Sequence, residues 1–404
     1  MKLKTKIAAI LALSCMFSTQ KGFLNDVQLF VDDAVPAIAT SLETKGSASA
    51  LAVRAKAAYL MDYHTKTVLY GQNETKRLPI ASMCKIMTLL LCFDAIKQGS
   101  LCIDEEITVS EKAASMGGSQ VFLEAYGKYP VSELIKSIVV CSANDSCVAM
   151  AEKIAGSQAL FVEKMNQKAQ ELQMSDTLFS NCTGLPQDPQ YSCAKDVAIM
   201  LKELLSHEQY YEFGKVWTQK FNHPKGRQTE ITNTNKLIRF YDGCDGGKTG
   251  FTNEAGFCLA ATAKRDGTRV ISVVIGAENS SNRFEDTKML FDYAFANYQT
   301  LPIVEAGVSF EEKYAVNGGK EKELSVMPLK SIYSFTKKGE KNNLDIEINL
   351  KELYAPIQSS EKVGELVVYK DGIEIDKTYL LAAEDVEKAS WSDRLQDIAR
   401  NWNG

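Results

Sequence analysis

The sequence predicts an α+β chain, an antiparallel sheet with a helical cluster beside it, followed by a small all-β domain. Two observations carry this. Up to about residue 300, two short strand-like stretches come first, then a long run of helical periodicity, then more strands and a closing helix. Past Leu301-Pro302 the pattern changes to alternation of period two with hairpin turns. At 404 residues there is room for two domains and a sizeable core. The expected division is a leader within residues 1–30, a main domain over 48–300, a β-sandwich over 301–382 and a tail over 383–404.

The leader is read from Lys2, Lys4 and Lys6 followed by the apolar run Ile7 to Phe17, too short for a spanning helix and typical of a secretory signal. Ala37-Ile38-Ala39 is a late candidate cleavage site, and the cut stays open. An exported protein working outside the cytoplasm is the expectation. Residues 20–47 show no sustained period. Ala57 to Asp62 and Thr67 to Tyr70 then read as the two strands of a hairpin.

The next stretch, Pro79 to Thr88, is the one the chain is organised around. After Lys85 the apolar residues Ile86, Leu89, Leu90, Phe93 and Ile96 recur at helical spacing, and Gly99 marks the end. Ser82 is placed on the first turn of a buried helix, and Lys85, three residues on, shares its face. A serine hydroxyl is a poor nucleophile until a base takes its proton. A buried lysine can be that base, because desolvation and nearby positive charge both disfavour its charged form. Taken alone, the same residues also suit a helix N-cap serine followed by a surface lysine.

Two further stretches give it company. Leu134 to Val140 and Val148 to Ile154 are apolar helical runs, and between them lies Cys141-Ser142-Ala143-Asn144-Asp145. This puts a hydroxyl and an amide on a loop; an ordinary interhelical turn capped by Asn144 or Asp145 is the plainer alternative. Helices over Ala159 to Leu172 and Asp196 to Leu205 follow. Gly246-Gly247-Lys248-Thr249-Gly250 then enters a strand, ahead of strands over Phe257 to Ala263 and Val270 to Ile275 joined by Asp266-Gly267. A cation, a hydroxyl and a glycine-opened backbone edge suit an extended substrate bearing a carboxylate. The helix from Asp286 to Ala296 closes the domain.

In the last part, Glu323 to Val326, Ser331 to Phe335, Leu344 to Ile348 and Gly364 to Tyr369 alternate, and Asp371-Gly372 turns into Ile373 to Ile375. No catalytic cluster falls there. The tail places Trp391, Leu395, Ile398 and Trp402 on one helical stripe, a candidate peripheral membrane contact interrupted by Asp393 and Asp397.

Composition narrows the function. A net charge of −5 gives no basic face for nucleic acid. The three histidines are His64, His207 and His223; there is no His-Glu-x-x-His, so a zinc-peptidase reading has no ligands to use. Of ten cysteines, Cys15 falls in the leader, which leaves an odd number; Cys84, Cys92, Cys141, Cys147 and Cys258 lie in apolar segments and read as buried free thiols.

The three stretches in this order resemble the signature set of class A β-lactamases and penicillin-binding proteins. The chain as a whole resembles the low-molecular-mass penicillin-binding proteins, the serine-type D-alanyl-D-alanine carboxypeptidases. Phe179 to Pro186, Tyr191-Ser192, Asn233 to Leu237 and Asn282-Arg283-Phe284 look like further segments of that family. The resemblance implies a β-lactamase/transpeptidase-like main domain and a penicillin-binding enzyme that takes the terminal D-Ala from peptidoglycan stem peptides ending in D-Ala-D-Ala. It implies Ser82 as nucleophile, Lys85 as its base, and Ser142 with Lys248 as a proton path to the leaving amine. Asn144 would orient the peptide; Thr249, Gly250 and Arg283 would line the site of its terminal carboxylate. The N–H groups of Ser82 and Phe251 would form the oxyanion hole. No metal or organic cofactor is implied, and β-lactams would acylate Ser82 as inhibitors. A D,D-endopeptidase on cross-linked muropeptides, a β-lactamase and a non-catalytic penicillin-binding sensor stay open; the segment from Ser157 to Tyr191 lacks the Glu-x-x-Leu-Asn loop a β-lactamase would use.

Overall fold

The computed structural model describes residues 3–5, 51–341 and 343–402. The expected leader and the spacer after it lie outside these residues, Leu3–Thr5 apart. The chain divides at Thr300 into two compact units.

The first unit is built on a five-stranded antiparallel sheet. Its strands are β1 (Ala57–Asp62), β2 (Val68–Gln72), β3 (Cys244–Thr252), β4 (Gly256–Arg265) and β5 (Thr268–Ala277), in the spatial order β2-β1-β5-β4-β3. The last three strands thus add to the hairpin formed by the first two, and β3 is left as an edge. Asp266 and Gly267 take φ of 47° and 80°, the two left-handed positions of the tight turn that their sequence demands. Every residue of β5 is buried, as a strand covered on both faces must be.

The longer helices are α1 (Lys85–Lys97), α2 (Val131–Cys141), α3 (Asn144–Ala155), α4 (Gln158–Glu171), α5 (Ala194–Leu204) and α6 (Ser280–Asn297). α1 is buried without a break from Lys85 to Phe93 and packs against α2, α3, α4 and α5. It is therefore the centre of the cluster rather than an amphipathic surface helix. The α+β expectation holds.

α6 begins at Ser280, six residues before the expected start, because the Asn279 side chain accepts the amide of Asn282 and caps it. Arg283 consequently lies within the first turn of the helix instead of ahead of it. Alternation does not reveal the hairpin Thr218–Asn222 with Gln228–Thr232, whose outward residues are polar on both strands.

The second unit holds a seven-stranded sheet in the order Leu3–Thr5, Leu344–Leu350, Lys362–Lys370, Ile373–Ala382, Glu323–Pro328, Lys313–Asn317 and Leu353–Tyr354. The final pair is parallel and the rest antiparallel. Leu324, Val326, Leu366, Val368 and Leu380 supply its core. The helix Trp391–Trp402 ends the described chain.

Candidate active site

Ser82 lies in a single 3-10 turn, Ala81–Cys84, that runs directly into α1. The turn is tighter than the helical first turn expected from the sequence, and it is strained: Ala81 has φ of 47°. Glycines hold it on two sides. A Cβ on Gly184 would stand 2.0 Å from the Ala81 carbonyl oxygen, and one on Gly250 would stand 2.7 Å from that of Ile80. No larger residue lets these two segments approach the serine backbone so closely.

Lys85 is fully buried, and its Nζ lies 3.0 Å from Ser82 Oγ. The same nitrogen donates to the Thr183 carbonyl. Burial pushes the Lys85 ammonium below its ordinary range. Lys248, on β3, is 2% exposed, and burial followed by the charge of Lys85 pushes it down to about 7. Its Nζ donates to the Thr249 carbonyl at 3.1 Å. Two buried amines next to each other cannot both stay charged, which makes one of them available as a base near neutral pH.

Ser142 ends α2 with φ of 65°, a left-handed cap that separates α2 from α3. Its Oγ is buried and without a hydrogen-bond partner among the described residues, as is Asn144 Oδ1. Buried polar atoms of this kind are costly unless something else meets them. Asn144 Nδ2 donates to the Gly117 carbonyl at 2.7 Å and its backbone amide to that of Ser119 at 2.7 Å. Asp145, which the sequence suggests only as a cap, accepts the amides of Val121 and Leu123 and so pins the 117–123 loop to α3.

On the β3 side, Thr249 Oγ1 donates to Thr234 Oγ1 at 2.7 Å, and the Thr234 amide donates to the Val140 carbonyl two residues before Ser142. Thr234 thus joins the Lys-Thr-Gly strand to the Ser-x-Asn loop. Gly247 has φ of 125°, and a Cβ there would meet the Ala260 carbonyl at 2.2 Å. The Phe251 side chain is half-exposed and lies on Phe257, ring centres 4.3 Å apart.

Arg283 reaches back to β3 and β4, where Nη1 donates to the carbonyls of Gly250 and Cys258 at 3.3 and 3.4 Å. It is 8% exposed, its Nε has no partner among the described residues, and its guanidinium lies over Phe257 and Phe284. Glu285 and Asp286, the nearest carboxylates in sequence, are bound by Arg54 instead. Burial lowers Arg283 to about 10, and no carboxylate among the described residues offsets it.

The structure therefore brings Ser82, Lys85, Lys248, Thr249, Gly250 and Arg283 into one connected cluster, with the Ser142–Asn144 loop tied to it through Thr234. Sequence reasoning assigns no role to Asn181, Thr183, Gly184 and Thr234, although all four lie in segments it singles out. Among the described residues no group of three or more His, Cys, Asp or Glu side chains is arranged to hold a metal ion.

Comparison with known proteins identifies the family. Residues 44–279 match the family described as D-alanyl-D-alanine carboxypeptidase, and residues 298–388 match the C-terminal domain of penicillin-binding protein 5. The chain is 41% identical over 356 residues to D-alanyl-D-alanine carboxypeptidase DacF of Bacillus subtilis, covering 88% of this chain and 91% of that one. It is 31% identical to DacC of Escherichia coli, covering 89% and 91%. Among solved structures, penicillin-binding protein 5 from Haemophilus influenzae is similar with a TM-score of 0.66 at 30% identity, covering 83% of this chain and 98% of that one.

Proposed function

The chain belongs to the D-alanyl-D-alanine carboxypeptidase family, and we propose that Ser82 is its acylating nucleophile and Lys85 the base that activates it. The protein is a serine-type D,D-carboxypeptidase and penicillin-binding protein acting in peptidoglycan metabolism. The observation that carries the residue assignment is the 3.0 Å approach of a fully buried lysine amine to the Ser82 hydroxyl, beside a second buried lysine.

The reaction follows from the groups in place. Neutral Lys85 accepts the Ser82 proton while Oγ attacks the carbonyl of the penultimate D-Ala. The oxyanion is met by the N–H groups of Ser82 and Phe251, on the two backbone segments that Gly250 allows to touch. Ser142, whose Oγ lacks a partner among the described residues, together with Lys248 passes the proton taken by Lys85 on to the leaving amine, so that Lys85 is neutral again. The C–N bond breaks and D-Ala leaves; Asn144 Oδ1 is open to the peptide amide. Thr249 and Arg283 hold the terminal carboxylate, which supplies the anion that buried Arg283 lacks. Water activated by Lys85 then attacks the ester, returning the proton to Ser82. A β-lactam would open on Ser82 by the same attack.

The test is covalent labelling with fluorescent penicillin together with D-Ala release from a diacetylated tripeptide ending in Lys-D-Ala-D-Ala. Ser82→Ala should lose both while keeping its circular dichroism and melting behaviour. Labelling of a folded Ser82→Ala protein would assign the nucleophile elsewhere.

Export is proposed on the Lys2-to-Phe17 pattern. Peripheral contact with the membrane is proposed for the terminal helix, where Trp391 and Leu395 are exposed; no described helix is long and apolar enough to cross a membrane.

A further inference from the structure

We infer that Asn181 is a positioning residue for the base: its side-chain amide shapes the turn that offers the Thr183 carbonyl to Lys85 Nζ and seats Gly184 against the Ser82 backbone. This rests on the reading of Ser82 and Lys85 as the acylating pair.

The geometry is concentrated in one side chain. Asn181 Oδ1 accepts the amide of Gly184 at 2.7 Å, and the amide and hydroxyl of Thr183 at 3.1 Å each. Its Nδ2 donates to the Leu185 carbonyl at 2.9 Å and to Gln187 Oε1 at 3.2 Å. Five hydrogen bonds thus fold residues 181–187 around one amide. The Asn181 main chain is tied to the serine turn as well, since its carbonyl accepts from Cys84 Sγ at 3.1 Å, while the neighbouring Cys182 carbonyl accepts from Thr88 Oγ1 of α1 at 2.7 Å. Three consecutive carbonyls, of Asn181, Cys182 and Thr183, therefore face the serine turn and the start of α1, and the third meets the amine of Lys85.

That carbonyl matters because of what a neutral amine needs. It has two N–H groups and one lone pair, and only the lone pair can take the Ser82 proton. A carbonyl that accepts one N–H fixes the rotation of the amine and turns the lone pair toward Oγ. The same turn places Gly184 where a Cβ would fall 2.0 Å from the Ala81 carbonyl oxygen and 3.0 Å from the Ser82 nitrogen, so it also supports the backbone N–H proposed for the oxyanion. A misplaced Thr183 carbonyl would disturb base and oxyanion donor together.

The groups facing Lys85 from other elements are Lys248 on β3 and the thiols of Cys84, Cys141, Cys147 and Cys182. None of the thiols is ionised near neutral pH, since burial pushes Cys84, Cys141 and Cys182 up to about 12 and Cys147 higher. A carboxylate at position 181 would therefore be a new anion beside these groups, and would favour the protonated form of Lys85.

Two variants test this by penicillin acylation across pH, with folding checked by circular dichroism. Asn181→Asp keeps the oxygen that accepts from Thr183 and Gly184; it should retain measurable acylation with its acidic limb moved up by on the order of one pH unit. Asn181→Ala removes all five bonds and should lower the acylation rate by about tenfold to a hundredfold. A role confined to stability would lower melting temperature in both and leave the rate and the limb of the folded protein where wild type has them; that result overturns the inference. If the alanine variant does not fold, the limb of the aspartate variant decides. Wild type that fails to label, or that labels away from Ser82, would instead overturn the acylating pair itself.

Discussion

Arg54 binds Asp286 through Nε at 3.2 Å and Nη2 at 3.1 Å, and its Nη2 also meets Glu285 at 2.7 Å, so the two carboxylates that follow Arg283 on its helix are taken by another arginine. Asp286 is fully buried and accepts the Arg54 and Ala55 amides besides. Arg283 is left as a buried cation with ring faces, two long carbonyl contacts and a 3.5 Å contact to Ser280 Oγ. It should contribute a charge-assisted hydrogen-bond pair to a substrate carboxylate, on the order of 1.5–3 kcal/mol, or roughly tenfold to a hundredfold in kcat/KM. Wild type and Arg283→Ala are to be compared on a peptide ending in D-Ala-D-Ala and on its C-terminal amide. Wild type should lose most of its rate on the amide, and the variant should treat the two nearly alike. Equal discrimination by both proteins would remove Arg283 from the carboxylate site and favour an enzyme that cuts internal bonds.

Acylation should weaken as pH falls, because the base proposed here, Lys85, can act only when neutral. Its folded pKa is lowered, so the neutral base persists below the usual lysine range and is lost on further acidification. Burial and then the charge of Lys85 push Lys248 down to about 7, and since a repulsion between two charges acts on both, the two amines behave as a pair. Removing its charge in Lys248→Met relieves repulsion on protonated Lys85, raises the pKa of that base and should shift the acidic limb to higher pH. A limb that stays put or moves to lower pH would show that the two lysines do not sense each other.

Gly184→Ala should damage the site out of proportion to its size. Its φ of +80° is unfavourable for alanine, and the added methyl would sit on the Ala81 carbonyl. Gly156 provides the control, with φ of +77° and nothing within 4 Å of the place its Cβ would take. Gly156→Ala should cost about 1–2 kcal/mol in melting experiments and leave penicillin labelling of the folded protein intact. Gly184→Ala should lower labelling by about tenfold or more. Comparable labelling by both variants would mean that Gly184 does not hold the Ser82 turn.

The nine described cysteines are all free; seven are buried, Cys141 is half-buried and Cys102 is exposed. A native sample should show one fast-reacting thiol, lost in Cys102→Ser. Unfolding without reductant should release nine, given removal of the leader that holds Cys15. One or three thiols after unfolding would mean that disulfides form.

What the sequence by itself determined is what spacing along the chain can encode. Ser82 and Lys85 are three residues apart, and a helical turn of any kind brings their side chains together. The Asp266-Gly267 and Asp371-Gly372 steps permit the positive φ angles of tight hairpins, so the strands around them were legible too. Burial of α1 was legible from its apolar residues, though not that it is covered all round. The tertiary structure alone decided the contacts that make the serine turn a site. Thr183 reaches Lys85 across 98 positions of sequence, and Arg54 reaches Asp286 across 232. Neither pair has a local signal, because an asparagine turn and an exposed-looking arginine are ordinary residues until the fold sets a partner opposite them. Arg283 shows the difference most clearly. Its neighbours in sequence suggest an ion pair within its own helix, and only the sheet's closure of the chain from Arg54 to Asp286 removes those carboxylates and leaves the guanidinium open to a substrate anion.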